Sequence, residues 1–360
     1  MKICFGEVNI LILSICIVLI LLILLNTRQQ IIYSPHLSTT NKVPVVSAGR
    51  LLFDKCSIYE WNWDNMTMSM ATIYKAKFGV DLSPGKYTSR VIDQHNEKWC
   101  GCCYLVSVLQ MLQDRLHIVY GAHTKKQMHP IIEFDRQLAL DTYNEYQKLR
   151  IDADWNACRG GNPLNVLRAI DDKKCELRIT SSRGSKWFGY PQTQEKVNNS
   201  EMNTIPLSEY KQLQNNIEYI KHRIFKYGPV VIGIRAQCML DIGENGLVDT
   251  TVEGVRNHAM TVVGWCHLEG QECWIGRNSW GVENVPSEKP NDMTCVVENK
   301  NECSIPLKKW KGASNLPGYV YIPTSYKGIK GIPSPWYDAI PVSMRNILKE
   351  EANEQDSLLC

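Results

Sequence analysis

The sequence predicts an α+β protein of two lobes, a helical one followed by a β-rich one. Two observations carry that prediction. A Cys-Gly turn at Cys100 and Gly101 runs directly into an apolar segment, where Leu105, Val108, Leu109, Leu112 and Leu116 recur at helical spacing. From Pro229 onward the texture changes to short runs rich in Val and Ile, bounded by turn residues. Helices first and strands afterwards point to segregated elements, not to alternating βαβ units. At 360 residues the chain is long enough for one large domain or two modest ones with a real core.

In chain order, residues 8–25 are almost wholly Ile, Leu and Val, interrupted by Asn9, Ser14 and Cys16. That is about the minimum length for a membrane-spanning helix. The run exceeds a usual signal-peptide core, and no pair of small residues follows it for cleavage, so an uncleaved anchor is the favoured reading and a cleaved signal the rival. Residues 1–7 form a short tail before the anchor. Residues 26–50 carry Pro35 and Pro44 without periodicity and read as a stalk or short prosegment. The globular domain is expected over 51–340, with Trp61 and Trp63 docking the entering chain. A helix is expected over 141–150, a turn at 157–163, irregular chain over 174–208, and a second helix over 210–225 that stops at Gly228 and Pro229. Strands follow at 229–234, 259–265 and 273–278, the last two joined by a turn at 268–271, and another at 318–322. The helical lobe is thus placed at about 95–225 and the β-rich lobe at about 226–326. Residues 282–315 read as an insertion and 341–360 as a tail.

A net charge of +3 without a strongly basic stretch argues against a nucleic-acid partner. The 14 cysteines are many for a reducing compartment and place the bulk of the chain in a lumen or outside the cell. Asn65 and Asn198 each open an Asn-x-Ser/Thr motif, which such a location would make usable for glycosylation. The crowding of Cys100, Cys102 and Cys103 into one short turn does not suit a zinc site. No metal or other cofactor is expected. Cys266 and Cys273 flank a hairpin turn and are candidates for a cross-strand disulfide; Cys295 and Cys303 are candidates to close the insertion.

The chemistry-bearing residues surround one sulfur. Cys103 falls in the first turn of the central helix, where unpaired N–H groups and the positive end of the helix dipole favour a thiolate, the nucleophilic form. Such a nucleophile needs a base, a group to orient the base, and oxyanion donors. His258, at the mouth of an apolar strand, is the candidate base. Asn278 is the candidate orienting group, its amide oxygen accepting from the ring N–H, and Trp280 stands beside it as a shield. The backbone N–H of Cys103 and the side-chain amide of Gln94 are the candidate donors.

These motifs resemble those of the papain-like cysteine proteases: Cys100-Gly101-Cys102-Cys103-Tyr104, then Cys158-Arg159-Gly160-Gly161, Asn257-His258-Ala259 and Asn278-Ser279-Trp280-Gly281. They span residues 51–326 in the family's order. The resemblance implies a helical left lobe, a β-barrel-like right lobe and a site in the cleft between them. It further implies a Cys100–Cys158 disulfide, peptide or protein substrates, and substrate contacts at Gly160, Gly161 and Trp280. Gln94 lies nine residues before Cys103 instead of the usual six and is followed by His95. That spacing is similar to the cathepsin X (cathepsin Z) branch, whose loop histidine holds a substrate's terminal carboxylate, and it makes His95 the candidate for a carboxypeptidase contact. The sequence departs from the family pattern at Cys102, Tyr104, Glu97 and the enlarged loop after Gly281. The alternative to a cysteine peptidase is therefore a protease-shaped binding protein without turnover.

Overall fold

A computed structural model describes residues 58–94, 100–125, 132–180, 205–239, 242, 245–250, 256–282, 312–326 and 334–349. All of them belong to the part of the chain that follows Ser47. The expected anchor at 8–25, His95, Asn198, Cys295 and Cys303 lie outside the described residues. Among those described, no helix is long and apolar enough to cross a membrane.

The entering chain docks through Trp61 and Trp63, as the aromatic cluster predicts. Strand β1 (Trp61–Asn62) pairs with residues 264–265 of a later strand, and both indoles are fully buried. Trp63 Nε1 donates to the carbonyl of Ile224 at 2.7 Å. Helix α1 (Met68–Phe78) follows. Its signals are legible, with Thr67 capping the N–H of Met70 and Gly79 closing it in the left-handed region, although the sequence reading had no helix here.

Helix α2 (Cys103–Thr124) is the axis of the molecule. It is buried nearly all round, because helices pack on one side and the sheet on the other. Strand β2 (Glu133–Phe134) and helix α3 (Arg136–Arg150) come next. A single 3-10 turn over Ala157–Arg159, helix α4 (Pro163–Asp171) and strand β3 (Ile179–Thr180) complete the helical lobe.

The segment at 207–213 corrects the predicted helix over 210–225. Leu207–Leu213 is strand β4, and the helix, α5 (Ile217–Tyr227), begins only after Asn216, whose side chain caps the N–H of Tyr219. Pairing overrides local periodicity here, because β4 lies along strand β11 (Trp336–Pro341), a strand the sequence did not disclose.

Strands β5 (Val230–Ile234), β6 (His258–Leu268), β7 (Gln271–Arg277) and β10 (Tyr319–Pro323) fall within a residue or a few of their predicted bounds. Glu269 and Gly270 make the β6–β7 turn, both at positive φ, as a two-residue hairpin requires. The sheet runs β10-β7-β6-β5-β11-β4, with β1 on β6. Strands β8 (Gly312–Ala313) and β9 (Leu316–Pro317) form a small hairpin at the end of the expected insertion. The chain after 341 is no simple tail. It opens with helix α6 (Val342–Leu348), which buries Met344 and ties Arg345 to Glu209 at 2.8 Å.

Two large apolar clusters match the two-lobe expectation. One packs α1 and α5 on the sheet; the other joins α2, α3 and α4 and takes in Val231, Ala259 and Ala339 from the sheet. A buried charge cluster fastens them. Arg115 of α2 and Arg223 of α5 both pair with Asp338 of β11, all three fully buried, and Arg115 also donates to the carbonyls of Gly228, Pro229 and Ala339. Removing Asp338 would leave the buried Arg115 guanidinium without its carboxylate, so this residue holds the cluster together.

Candidate active site

Cys103 is the first residue of α2. Cys102, at the capping position, offers no side-chain acceptor, so the first-turn N–H groups keep their field on the sulfur. Burial pushes the Cys103 thiol up to about 11, against hydrogen bonds from the backbone of Ala259, Tyr104 and Cys103 itself. The contact with Ala259 brings the far lobe to the thiol, since Ala259 follows His258 at the start of β6.

His258 is held by its strand and by Asn278. It pairs in register with Ile234 of β5. Its Nε2 lies 2.7 Å from Asn278 Oδ1, an oxygen that also accepts the Ser279 N–H at 2.8 Å. An amide oxygen can only accept, so Nε2 carries the hydrogen and Nδ1 keeps the lone pair. Asn278 is fully buried, and its own N–H donates to Gly318. The Trp280 ring covers the imidazole, centroid to centroid 4.8 Å at 43°. Burial pulls His258 down to about 4, opposed by the hydrogen bond to Asn278. Burial thus disfavours charge on thiol or imidazole taken singly; opposite charges formed together attract.

Gln94 is brought to the same place by backbone pairing. Its N–H donates to the Ser279 carbonyl at 2.8 Å, and the Gly281 N–H to that of Ile92. Its side chain is buried. Nε2 donates to the Cys100 carbonyl at 2.7 Å, and Oε1 accepts from Ser279 Oγ at 2.5 Å. The sequence reading gave Ser279 no role of its own; the only signal was its place between Asn278 and Trp280.

On the other side of the α2 terminus, Cys100 is disulfide-bonded to Cys158, as the motifs imply. The Gly101 N–H reinforces the link by donating to the Cys158 carbonyl at 2.8 Å. Cys103, His258, Asn278 and Gln94 are therefore brought together across the chain, with Gln94 and Ser279 bonded over a separation of 185 residues.

The model of the papain family of cysteine proteases matches residues 80–306. The chain belongs to the papain family. Among curated relatives it is 27% identical over 210 residues to cathepsin S of Mus musculus, covering 57% of this chain and 55% of that protein. It is 23% identical over 236 residues to cathepsin Z of Onchocerca volvulus, covering 61% and 65%. The chain thus spans little more than half to about two thirds of these relatives' lengths. A solved structure of the bromelain protease from Ananas comosus, in complex with the E64 inhibitor, is 16% identical with a TM-score of 0.49, over 79% of this chain and 100% of that one.

Two departures from the papain-family pattern, Tyr104 and Cys102, have physical accounts; Glu97 and most of the loop after Gly281 lie outside the described residues. Tyr104 uses its hydroxyl to donate to the Ala157 carbonyl at 2.9 Å, pinning the ring beneath the Cys158 turn. A Cβ on Gly161 would sit 2.5 Å from that ring, so the turn passes there only as glycine. Gly160, at φ 95°, faces open space, and Gly161 is exposed. Cys102 is a free, fully buried thiol pushed far up by burial and by the neighbouring Cys103, hence inert. Cys266 and Cys273 stand directly opposite each other across β6 and β7, but both are free thiols instead of the expected disulfide. Among the described residues no cluster of His, Cys, Asp or Glu could hold a metal.

Proposed function

We propose that this chain is a cysteine peptidase in which Cys103 is the nucleophile and His258 its base. The observation that carries the reading is the hydrogen bond from His258 Nε2 to Asn278 Oδ1 at 2.7 Å, on a strand whose next N–H reaches the Cys103 sulfur. The thiol proton passes to His258 Nδ1 as the sulfur attacks the peptide carbonyl carbon. The oxyanion takes hydrogen bonds from the Cys103 N–H and from Gln94 Nε2, whose second hydrogen has no acceptor among the described residues. The imidazolium then protonates the leaving amine, the C–N bond breaks, and a thioester remains. Water, deprotonated by His258, attacks that thioester and releases the acid. Labelling by an epoxide-type thiol inhibitor tests the assignment. Adduct on Cys103 and loss of hydrolysis in Cys103→Ala are expected; full hydrolysis in that variant sinks the assignment, and absence of an adduct under reducing conditions favours the binding-protein reading.

A finer proposal concerns the end of the substrate. Gln94, nine residues before Cys103, makes the contacts within the site, and His95 follows it directly. His95 is proposed to hold a free C-terminal carboxylate. Peptides with free termini are then cleaved faster than their amides, and equal rates reject the idea. The apolar run at 8–25 and the Cys100–Cys158 disulfide support a domain anchored on the luminal or extracellular side of a membrane. Carbonate extraction of cell membranes tests this, and release of the chain into the supernatant argues for the secreted alternative.

A further inference from the structure

One face of α2 is polar and yet buried. Cys103, Ser107, Gln110 and Asp114 stand at i, i+4, i+7 and i+11, a single helical stripe. Ser107, Gln110 and Asp114 are at most 1% exposed. The stripe lies along β6 and β7. Ala259 meets the Cys103 sulfur. Thr261 Oγ1 reaches the Ser107 carbonyl at 3.2 Å and Gln110 Oε1 at 3.3 Å. Arg277, the register partner of Thr261, meets Asp114.

The last contact is the strongest. Arg277 and Asp114 are both fully buried. Arg277 Nη2 donates to Asp114 Oδ2 at 2.6 Å and Nη1 to Oδ1 at 3.3 Å, a two-pronged fork. Ser89 completes it, its N–H donating to Asp114 Oδ1 at 2.6 Å and its carbonyl accepting from Arg277 Nη1 at 2.7 Å. Arg277 is bonded in sequence to Asn278. Asp114 lies three turns along the helix from Cys103, about 16 Å at 1.5 Å per residue. The fork therefore links the helix that carries the sulfur to the strand that delivers the imidazole's acceptor.

We propose that the Arg277–Asp114 fork is a positioning pair that fixes the axial setting of α2 against β6 and β7, and with it the approach of Cys103 to His258. Apolar contacts between a helix and a sheet tolerate sliding; a planar fork with fixed partners does not. A buried ion pair is a poor source of stability, since well-packed apolar replacements are often as good or better. Register is the role that such a pair serves best. Neither residue touches substrate, so both act through the reacting groups. The inference rests on the assignment of Cys103, His258 and Asn278 above.

The test uses the full chain and two variants. Arg277→Lys keeps the charge and loses the fork. Arg277→Met with Asp114→Leu removes both charges and leaves neither stranded, so folding is retained. Iodoacetamide alkylation of Cys103, in which the sulfur displaces iodide, is followed against pH. Hydrolysis of a fluorogenic peptidyl-aminomethylcoumarin gives kcat and KM. A positioning role predicts that in both variants the alkylation limb moves up by about one pH unit, equivalent to about 1.4 kcal/mol of lost thiolate stabilisation. It also predicts that kcat falls about 10- to 100-fold while KM stays within about twofold. A double variant with the parent's pH profile and kcat overturns the inference and leaves the peptidase reading intact. Parent enzyme in which Cys103 reacts no faster than an ordinary thiol overturns both.

Discussion

Ser279 and Gln94 hold each other in place: the serine hydroxyl donates to Gln94 Oε1 at 2.5 Å, and the Gln94 N–H returns a bond to the Ser279 carbonyl. The amide is thereby turned so that its nitrogen faces the Cys100 carbonyl and the start of α2. Gln94→Ala is expected to lower kcat/KM by about 10²–10³-fold, the usual effect of losing one oxyanion donor. Ser279→Ala leaves the donor present but free to rotate, so a smaller loss carried by kcat is expected. Steady-state kinetics on both variants check the order; equal losses would mean that Ser279 does more than aim the amide.

Asn278→Ala removes the acceptor that keeps the hydrogen on His258 Nε2. The ring can then present an N–H, not a lone pair, to the thiol. A fall in kcat on the order of 10²-fold is expected. Asn278→Gln, which keeps the amide but not its reach, is expected to restore little. Full activity in either variant would show that β6 alone orients the ring.

Tyr104 and Gly161 are coupled by contact. Tyr104→Phe loses the bond to the Ala157 carbonyl and is expected to cost about 1 kcal/mol. Gly161→Ala drives a methyl group into the Tyr104 ring and is expected to cost about 1–3 kcal/mol. Released from Ala157, the ring in the double variant can tilt aside, so the two costs should sum to more than the double variant's cost. Urea unfolding of the three variants measures this; simple additivity would show that the ring is held by Tyr143 packing, at 5.9 Å, and not by its hydroxyl.

What was legible in the sequence was what neighbours in the chain encode. The start of α2, the strand opening at His258 and the turn at Gly270 each rest on a few contiguous residues, and they stand where the pattern puts them. Contacts between distant residues were not legible. Leu213 fits a helical repeat with Ile217 and Ile220, and only the partner strand Trp336–Pro341 makes it β. That partner hides itself in turn, because Asp338 reads as a surface residue until Arg115 and Arg223 are known to flank it. The polar stripe on α2 was missed because the facing apolar residues dominate the periodicity. Helix α1 differs: Thr67 and Gly79 cap it, but the apolar pattern between them is too weak to mark a helix.

His258 contributes to the pH dependence of stability, and a Cys103→Ala background isolates it by removing the thiol proposed to exchange a proton with the ring. Burial holds the ring at about 4 in the folded chain, against about 6.5 when unfolded. Between those values the unfolded chain binds a proton that the folded chain refuses. Stability therefore rises with pH across this interval and is lost as pH falls from about 6.5 towards about 4. The full swing is about 3 kcal/mol, at 1.36 kcal/mol for each pH unit of difference. Asp64 adds a loss of the same sign lower down. Its burial opposes ionisation, but Lys86 and hydrogen bonds from Lys86, Thr88 and Tyr319 outweigh it and hold the carboxyl below its ordinary value. Urea unfolding of Cys103→Ala at pH 7, 5.5 and 4.5, set against Cys103→Ala with His258→Gln, subtracts every group except the ring. The first variant should lose stability faster than the second down to pH 4.5. Parallel curves would mean that the imidazole is solvated in the folded protein, contrary to its 7% exposure and its place beneath Trp280.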